Sequence, residues 1–203
     1  MKWDKSKNNN AYRGAVELRV SIYGNAWLVN EILLDDYIKG IDEVPNVWAS
    51  EFHKAQAIAA RSYALYYMER GGKHNGTAYI LNAGSYDQVY RGYNAEIRNT
   101  RFVSSVEATR GTVVRYNGST AATVYFARSD GRTKSWSAVW GGKGYAYIQP
   151  RDAEFDAAKR NTEFGHGVGM PQTDGAMRAD AGATYDQILN AYYTGVTIDR
   201  VYE

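Results

Sequence analysis

The chain has 203 residues, 44% hydrophobic and 23% charged, with a formal net charge of +2. That length supports one compact core or two intimately joined lobes, and the charge is too low for a nucleic-acid binder, since the densest basic cluster is Arg128, Arg132 and Lys134. Zero Cys excludes disulfides, thiolate nucleophiles and Cys-held metals, and no apolar run approaches the roughly 20 residues of a membrane span.

The opening MKWDKSKNNN is charged with no apolar segment behind it, so residues 1–15 are expected to be a flexible N-terminal segment and 16–203 the folded domain. A membrane is reached only through an anchor outside this chain. Val16 to Tyr23 alternates as a strand, and Leu33 to Gly40 predicts a short helix ending before the turn Asp42-Glu43-Val44-Pro45. From Ser50, a plausible N-cap, runs an Ala-rich helix that Gly71-Gly72 stops. Phe52, Ala55, Ile58, Ala59, Ser62, Leu65 and Tyr66 form one stripe, and Ala57, Ala60 and Ala64 a second small-residue face, so this helix is expected to be central and packed on two sides. Gln56 and Arg61 sit between those faces and need partners; Arg61 either holds a carboxylate, caps a loop carbonyl or reaches solvent.

A helix is predicted over Asn94 to Thr109, and Val113 to Tyr116, Asn117-Gly118 and Thr123 to Phe126 read as a hairpin with a type I′ turn. A polar loop, Ser129 to Thr133, leads to Trp136 and Trp140, then to Gly165-His166-Gly167-Val168-Gly169-Met170-Pro171-Gln172. Helices over Thr173 to Ala181 and from Thr184, with Gln187 completing a capping box, close the chain. With no linker and no repeat, the expected fold is α+β: a single compact domain with the Ala-rich helix packed on mixed, mainly antiparallel strands.

His53, His74 and His166 are scattered without metal-ligand spacing, so each reads as structural or exposed. The Gly-rich run lacks the spacing of a dinucleotide fingerprint and the Lys-Ser or Lys-Thr of a P-loop, and no G-x-S-x-G elbow is present. One acid held in a Pro-stopped turn against a rigid helix is a candidate catalytic group, although most loop carboxylates are merely solvated.

The acid before a Pro, K-A-Q-A-I-A-A-R-S-Y-A-L, D-Q-V-Y-R-G, T-R-G-T-V-V-R-Y-N-G, S-D-G-R-T, G-H-G-V-G-M and the closing Gly175-Ala176 to Tyr192-Tyr193 follow one another in the order of the stage II sporulation protein D family, which includes the amidase enhancers. The resemblance spans about residues 30 to 198. It implies a peptidoglycan lytic transglycosylase acting on glycan strands stripped of their stem peptides, with Glu43 as general acid and base and no cofactor; some members carry zinc held partly by cysteines, and with no Cys none is expected here. Its partners would be glycan strands and a cell-wall amidase, and its location extracytoplasmic. Expected substrate contacts are Gln56, Arg61, Gln88, Tyr90, Tyr125, Ser129, Arg132, Thr133, His166 and Gln172. Arg61, Arg128, Arg132 or Lys134 would pair with the lactyl carboxylates of a stripped strand, and Tyr90, Tyr125 and Trp140 offer rings for sugar faces. Two departures stand out. Pro171 replaces the family's usual Ser, and Tyr125-Phe126-Ala127-Arg128-Ser129 replaces a Tyr-His-Ser-Ser-type run. The alternative reading is a non-catalytic glycan-binding regulator that enhances an amidase; a generic sugar-binding domain is a third.

Overall fold

In the computed structural model, which describes residues 7–203, strands β1 (Ala15–Val20) and β2 (Ala26–Glu31) pair antiparallel, with Leu18 opposite Leu28 and Val20 opposite Ala26. Strand alternation places Val16, Leu18, Val20 and Leu28 on one face, and all four are exposed. Residues 1–6 of the expected N-terminal segment lie outside the described residues. Residues 7–13 lie along a later helix, where Arg98 donates to the Lys7 carbonyl and Ala11 N–H donates to Asn94 Oδ1.

Helix α1 (Leu34–Lys39) leads through the Glu43 turn into α2 (Ser50–Met68), which is buried from Phe52 to Ala64 except at Lys54. A helix with small and apolar residues on two faces has little solvent face to present and becomes the core. Around it pack α1, α4 (Thr100–Ala108), β3 (Thr112–Tyr116), α7 (Gln172–Asp180) and α8 (Tyr185–Tyr192). Small residues let these neighbours approach closely: a side chain at Gly175 of α7 would press on the Phe52 ring. Arg61 answers the choice left open by the sequence by doing two things at once, inside the protein. Its guanidinium donates to Asp35 Oδ1 at 2.7 Å and to the carbonyls of Thr112 and Val106 at 3.0 and 3.1 Å, joining α1, α4 and β3 to α2.

The strand arrangement is mainly antiparallel, as expected. β3 is flanked by β4 (Ser119–Thr120) and β7 (Thr197–Arg200), both antiparallel to it, while β5 (Tyr125–Phe126) pairs parallel with β6 (Met170–Pro171). Helices α3 (Tyr93–Arg98), α5 (Trp136–Trp140) and α6 (Glu154–Ala158) complete the chain, and the Thr184 capping box opens α8.

Three local expectations are corrected. The helix predicted over Asn94 to Thr109 breaks at Asn99 into α3 and α4, because the Asn99 side chain turns to donate to Asp42 Oδ1 at 2.9 Å. The hairpin has its Asn117-Gly118 turn, with both residues at positive φ, but β3 pairs with β4 rather than with Thr123 to Phe126. That segment is drawn off because Thr123 Oγ1 donates to the Ala59 carbonyl of α2. Ala49, not Ser50, is the N-cap of α2, and no side chain caps it.

Candidate functional site

The turn carrying Glu43 is held from several directions. Asp42 N–H donates to the Val89 carbonyl, Arg91 N–H to the Gly40 carbonyl, and Ile41 bridges antiparallel to Tyr90, so residues 88–91 run as a short rail beside 40–43. On the far side His53 of α2 bonds the Pro45 carbonyl at 3.0 Å. The Asp42 side chain faces away, toward Lys7, Arg98 and Asn99.

Glu43 Oε1 accepts from Val89 N–H at 2.8 Å, and Oε2 accepts from the Tyr125 hydroxyl at 2.5 Å. Behind Tyr125, Gln88 Nε2 donates both to the Ala60 carbonyl and to Tyr125 Oη, each at 3.1 Å, while Gln88 Oε1 accepts from the Tyr37 hydroxyl. The direction of this chain follows from chemistry. A helix carbonyl only accepts, so Ala60 fixes the Gln88 amide with its nitrogen toward Tyr125, which leaves the Tyr125 proton for Glu43.

These groups open on a cleft of about 540 Å³. Three carboxylates line it, and their environments separate them. Burial pushes the Glu43 carboxyl above its ordinary range; the bonds from Tyr125 and Val89 and the charge of Arg91 pull it partly back, and Asp42 adds a small upward push. Asp87, held by Lys73, Asn82 N–H and His74, and Asp42, held by Asn99, Lys7 and Arg98, both lie below theirs despite the opposing cost of burial. Lys73, the cation among the charged lining residues, spends its three protons on the Tyr63 hydroxyl, the Tyr86 carbonyl and Asp87. His166 is pushed down to about 4, chiefly by burial with the Tyr125 backbone opposing it, and is neutral, its Nδ1 accepting from Val168 N–H at 3.1 Å. Its ring packs on Phe126 of β5 and on Trp140.

Of the sequence-predicted contacts, Glu43, Tyr125, His166 and Gln172 line the cleft, and Gln88 stands directly behind it. Others lie elsewhere. Arg61 is wholly buried in the core, and Gln56 is buried with no hydrogen-bond partner among the described residues. Tyr90 stacks on Tyr37 and donates to Asn30. Ser129 N–H bonds Asp156, the Thr133 hydroxyl accepts from Arg151 N–H, and Arg132 pairs with Asp152. Arg128 is turned to the Thr162 carbonyl and Lys134 to Glu163, so none of the four basic side chains expected on the lactyl groups enters the cleft. Tyr37, Asp87, Lys73, Val89 and Trp136 were missed; the D-Q-V-Y run beside the Glu43 motif was the signal for Asp87 and Val89. Among the described residues no group of three His, Cys, Asp or Glu is placed to hold a metal, and no helix is long and apolar enough to cross a membrane.

Fold and site together define a mixed helix-and-strand domain whose cleft presents one acid with a raised pKa amid aromatic rings. Residues 23–116 match the family model described as Stage II sporulation protein. Over 119 residues the chain is 31% identical to the "Amidase enhancer" of Bacillus subtilis, covering 58% of this chain and 15% of that one. It is 26% identical over 148 residues to "Stage II sporulation protein D" of the same organism, covering 64% and 43%. An uncharacterized protein of Brachyspira hyodysenteriae is 34% identical over 116 residues, covering 56% and 30%. The chain is similar to the stage II sporulation protein D and amidase enhancer family, the family model covering just under half of its length. It spans less than half the length of each of these relatives. The matched segment contains Glu43, α2 and Gln88, whereas Tyr125, His166 and Gln172 lie beyond it.

Proposed function

We propose that this protein acts on the bacterial cell wall outside the cytoplasm, as a lytic transglycosylase that cuts peptide-free peptidoglycan strands between N-acetylmuramic acid and N-acetylglucosamine. The observation that carries this reading is the separation of the three cleft carboxylates: Glu43 alone is raised, while Asp42 and Asp87 are lowered and already paired. A glycosidase of the usual kind needs a second carboxylate as nucleophile or base, and neither neighbour is spare. A single acid suffices where the sugar supplies its own nucleophile.

In that reaction protonated Glu43 gives its proton to the glycosidic oxygen as the bond from C1 breaks, releasing the 4-hydroxyl of N-acetylglucosamine. The 6-hydroxyl oxygen of the muramic acid attacks C1, and its proton passes to the Glu43 carboxylate. The product ends in a 1,6-anhydro ring and the acid is restored. Between the two transfers Glu43 is an anion, and the Tyr125 hydroxyl and Val89 N–H are already aimed at its two oxygens. Burial favours the acid before the step; these donors favour the carboxylate within it.

A second reading, a glycan-binding regulator that stimulates a separate cell-wall amidase, is supported by the name of one relative and by Phe126 in the run where the resemblance expects a His. Mass spectrometry of soluble products from amidase-stripped strands separates the two. The enzyme yields fragments with 1,6-anhydromuramic ends that disappear with Glu43→Gln; strand binding with no product in either protein supports the regulator.

A further inference from the structure

Trp136 and Trp140 line the same cleft as Glu43, yet they belong to an element unlike the rest of the site. Helix α5 has five residues, none of them buried, begins at a Ser135 cap and ends at Gly141-Gly142, where both glycines hold positive φ in open space. What steadies the helix is ring contact: Trp136 lies nearly parallel to Tyr145 at 3.7 Å, and Trp140 meets Trp136 edge-on at 4.6 Å and His166 at 4.9 Å. Trp140 remains 46% exposed, a large cost in apolar surface for a residue that supports no core.

The charges nearby say what such a wall can hold. The charged side chains lining the cleft are Asp42, Glu43 and Asp87 against Lys73, whose protons are already used. A ligand carboxylate finds the lining cation Lys73 already engaged by Asp87 and would shed its hydration there without a partner. An uncharged pyranose incurs no such penalty, and its axial C–H face is the apolar surface an exposed indole is shaped to cover.

We propose that Trp136 and Trp140 form a sugar-stacking subsite for the face of a neutral N-acetylhexosamine ring, so that the cleft takes glycan by ring contact rather than by pairing with lactyl carboxylates. This rests on the glycan reading of the cleft and deepens it. The occupant is one hexosamine unit of a β-1,4-linked strand, placed along the cleft from the bond presented to Glu43.

The test uses the full chain carrying Glu43→Gln, which removes turnover, titrated with a chito-oligosaccharide while tryptophan fluorescence and calorimetry are recorded. Saturable binding is expected, weakened about tenfold or more by Trp140→Ala and largely restored by Trp140→Phe, as loss and return of a ring face require. The affinity is expected to stay within about twofold between about 0.05 M and 0.5 M salt. Circular dichroism and melting of Trp140→Ala should stay close to the parent, because Trp140 is 46% exposed and lies outside the core. Absence of binding, affinity indifferent to Trp140→Ala, or steep weakening with salt would each overturn the subsite. The cleavage reading fails separately, on the absence of Glu43-dependent anhydro products from the wild-type chain.

Discussion

On one side of the cleft, Glu43 sits where the 88–91 rail, β5 and the start of α2 converge, with both carboxyl oxygens bonded and the bonding group behind them fixed by a helix carbonyl. On the other, Trp136 and Trp140 ride on a helix with no fully buried residue, which ends at glycines with free space around them. The first wall is fixed many times over, and the second by ring stacking, the Ser135 cap and a few backbone bonds. A proton donor must be placed within a few tenths of an ångström to do its work, whereas a sugar face tolerates sliding. The contrast implies that mutations in the acid wall change stability and pH dependence, and mutations in the ring wall change ligand affinity.

The heaviest blow to the fixed side is Arg61→Met. It strands the largely buried Asp35 carboxylate and two carbonyls, and is expected to cost ~3–5 kcal/mol in urea unfolding; a change within error would mean that the guanidinium is not the clamp joining α1, α4 and β3. Next comes Gly169→Ala. Gly169 has φ +77° and a Cβ there would run into the Val124 carbonyl, just before the strand that presents Tyr125, so a loss of about 3 kcal/mol with reduced cleavage is expected.

Tyr125→Phe acts more finely. The Tyr125 hydroxyl pulls the Glu43 pKa down, so removing it raises that pKa further, and an acid that must be protonated stays so to higher pH. The alkaline limb of kcat/KM is therefore expected to move up, and a downward move would overturn the assigned direction of the hydrogen bond. The smallest effect belongs to Gly142→Ala in the ring wall. Gly142 has nearly the backbone of Gly169, φ +76°, but nothing within 4 Å of a Cβ, so only the conformational cost of about 1 kcal/mol applies and cleavage should persist. Thermal melts of the two alanine variants side by side measure the difference between the walls directly.

Much of the acid wall was legible because it is written in local signals. The Pro-stopped turn, the two small-residue faces of α2, the Gly71-Gly72 stop and the Thr184 capping box each depend on neighbours in sequence. The placement of charge was not. Arg128, Arg132 and Lys134 cluster in the sequence, but a loop backbone turned them to Thr162, Asp152 and Glu163, and no spacing rule encodes that. Tyr37 and Asp87 escaped notice because their value depends on which residue, 51 or 14 positions away, they meet. The two-residue strands β5 and β6 are too short to show a period, so their parallel pairing was invisible while the residues they carry, Tyr125 and Pro171, were in plain view.

The uncovered apolar face of the β1–β2 hairpin also governs how the molecule behaves in solution. Val16, Leu18, Val20 and Leu28 form a sticky patch on a ribbon that, among the described residues, has two strands and unpaired outer edges. A net charge of only +2 provides little mutual repulsion, and that little vanishes near the isoelectric point of about 8.6. Colloidal stability should be poorest in mildly alkaline buffer and improve as acid titrates the carboxylates and the charge climbs.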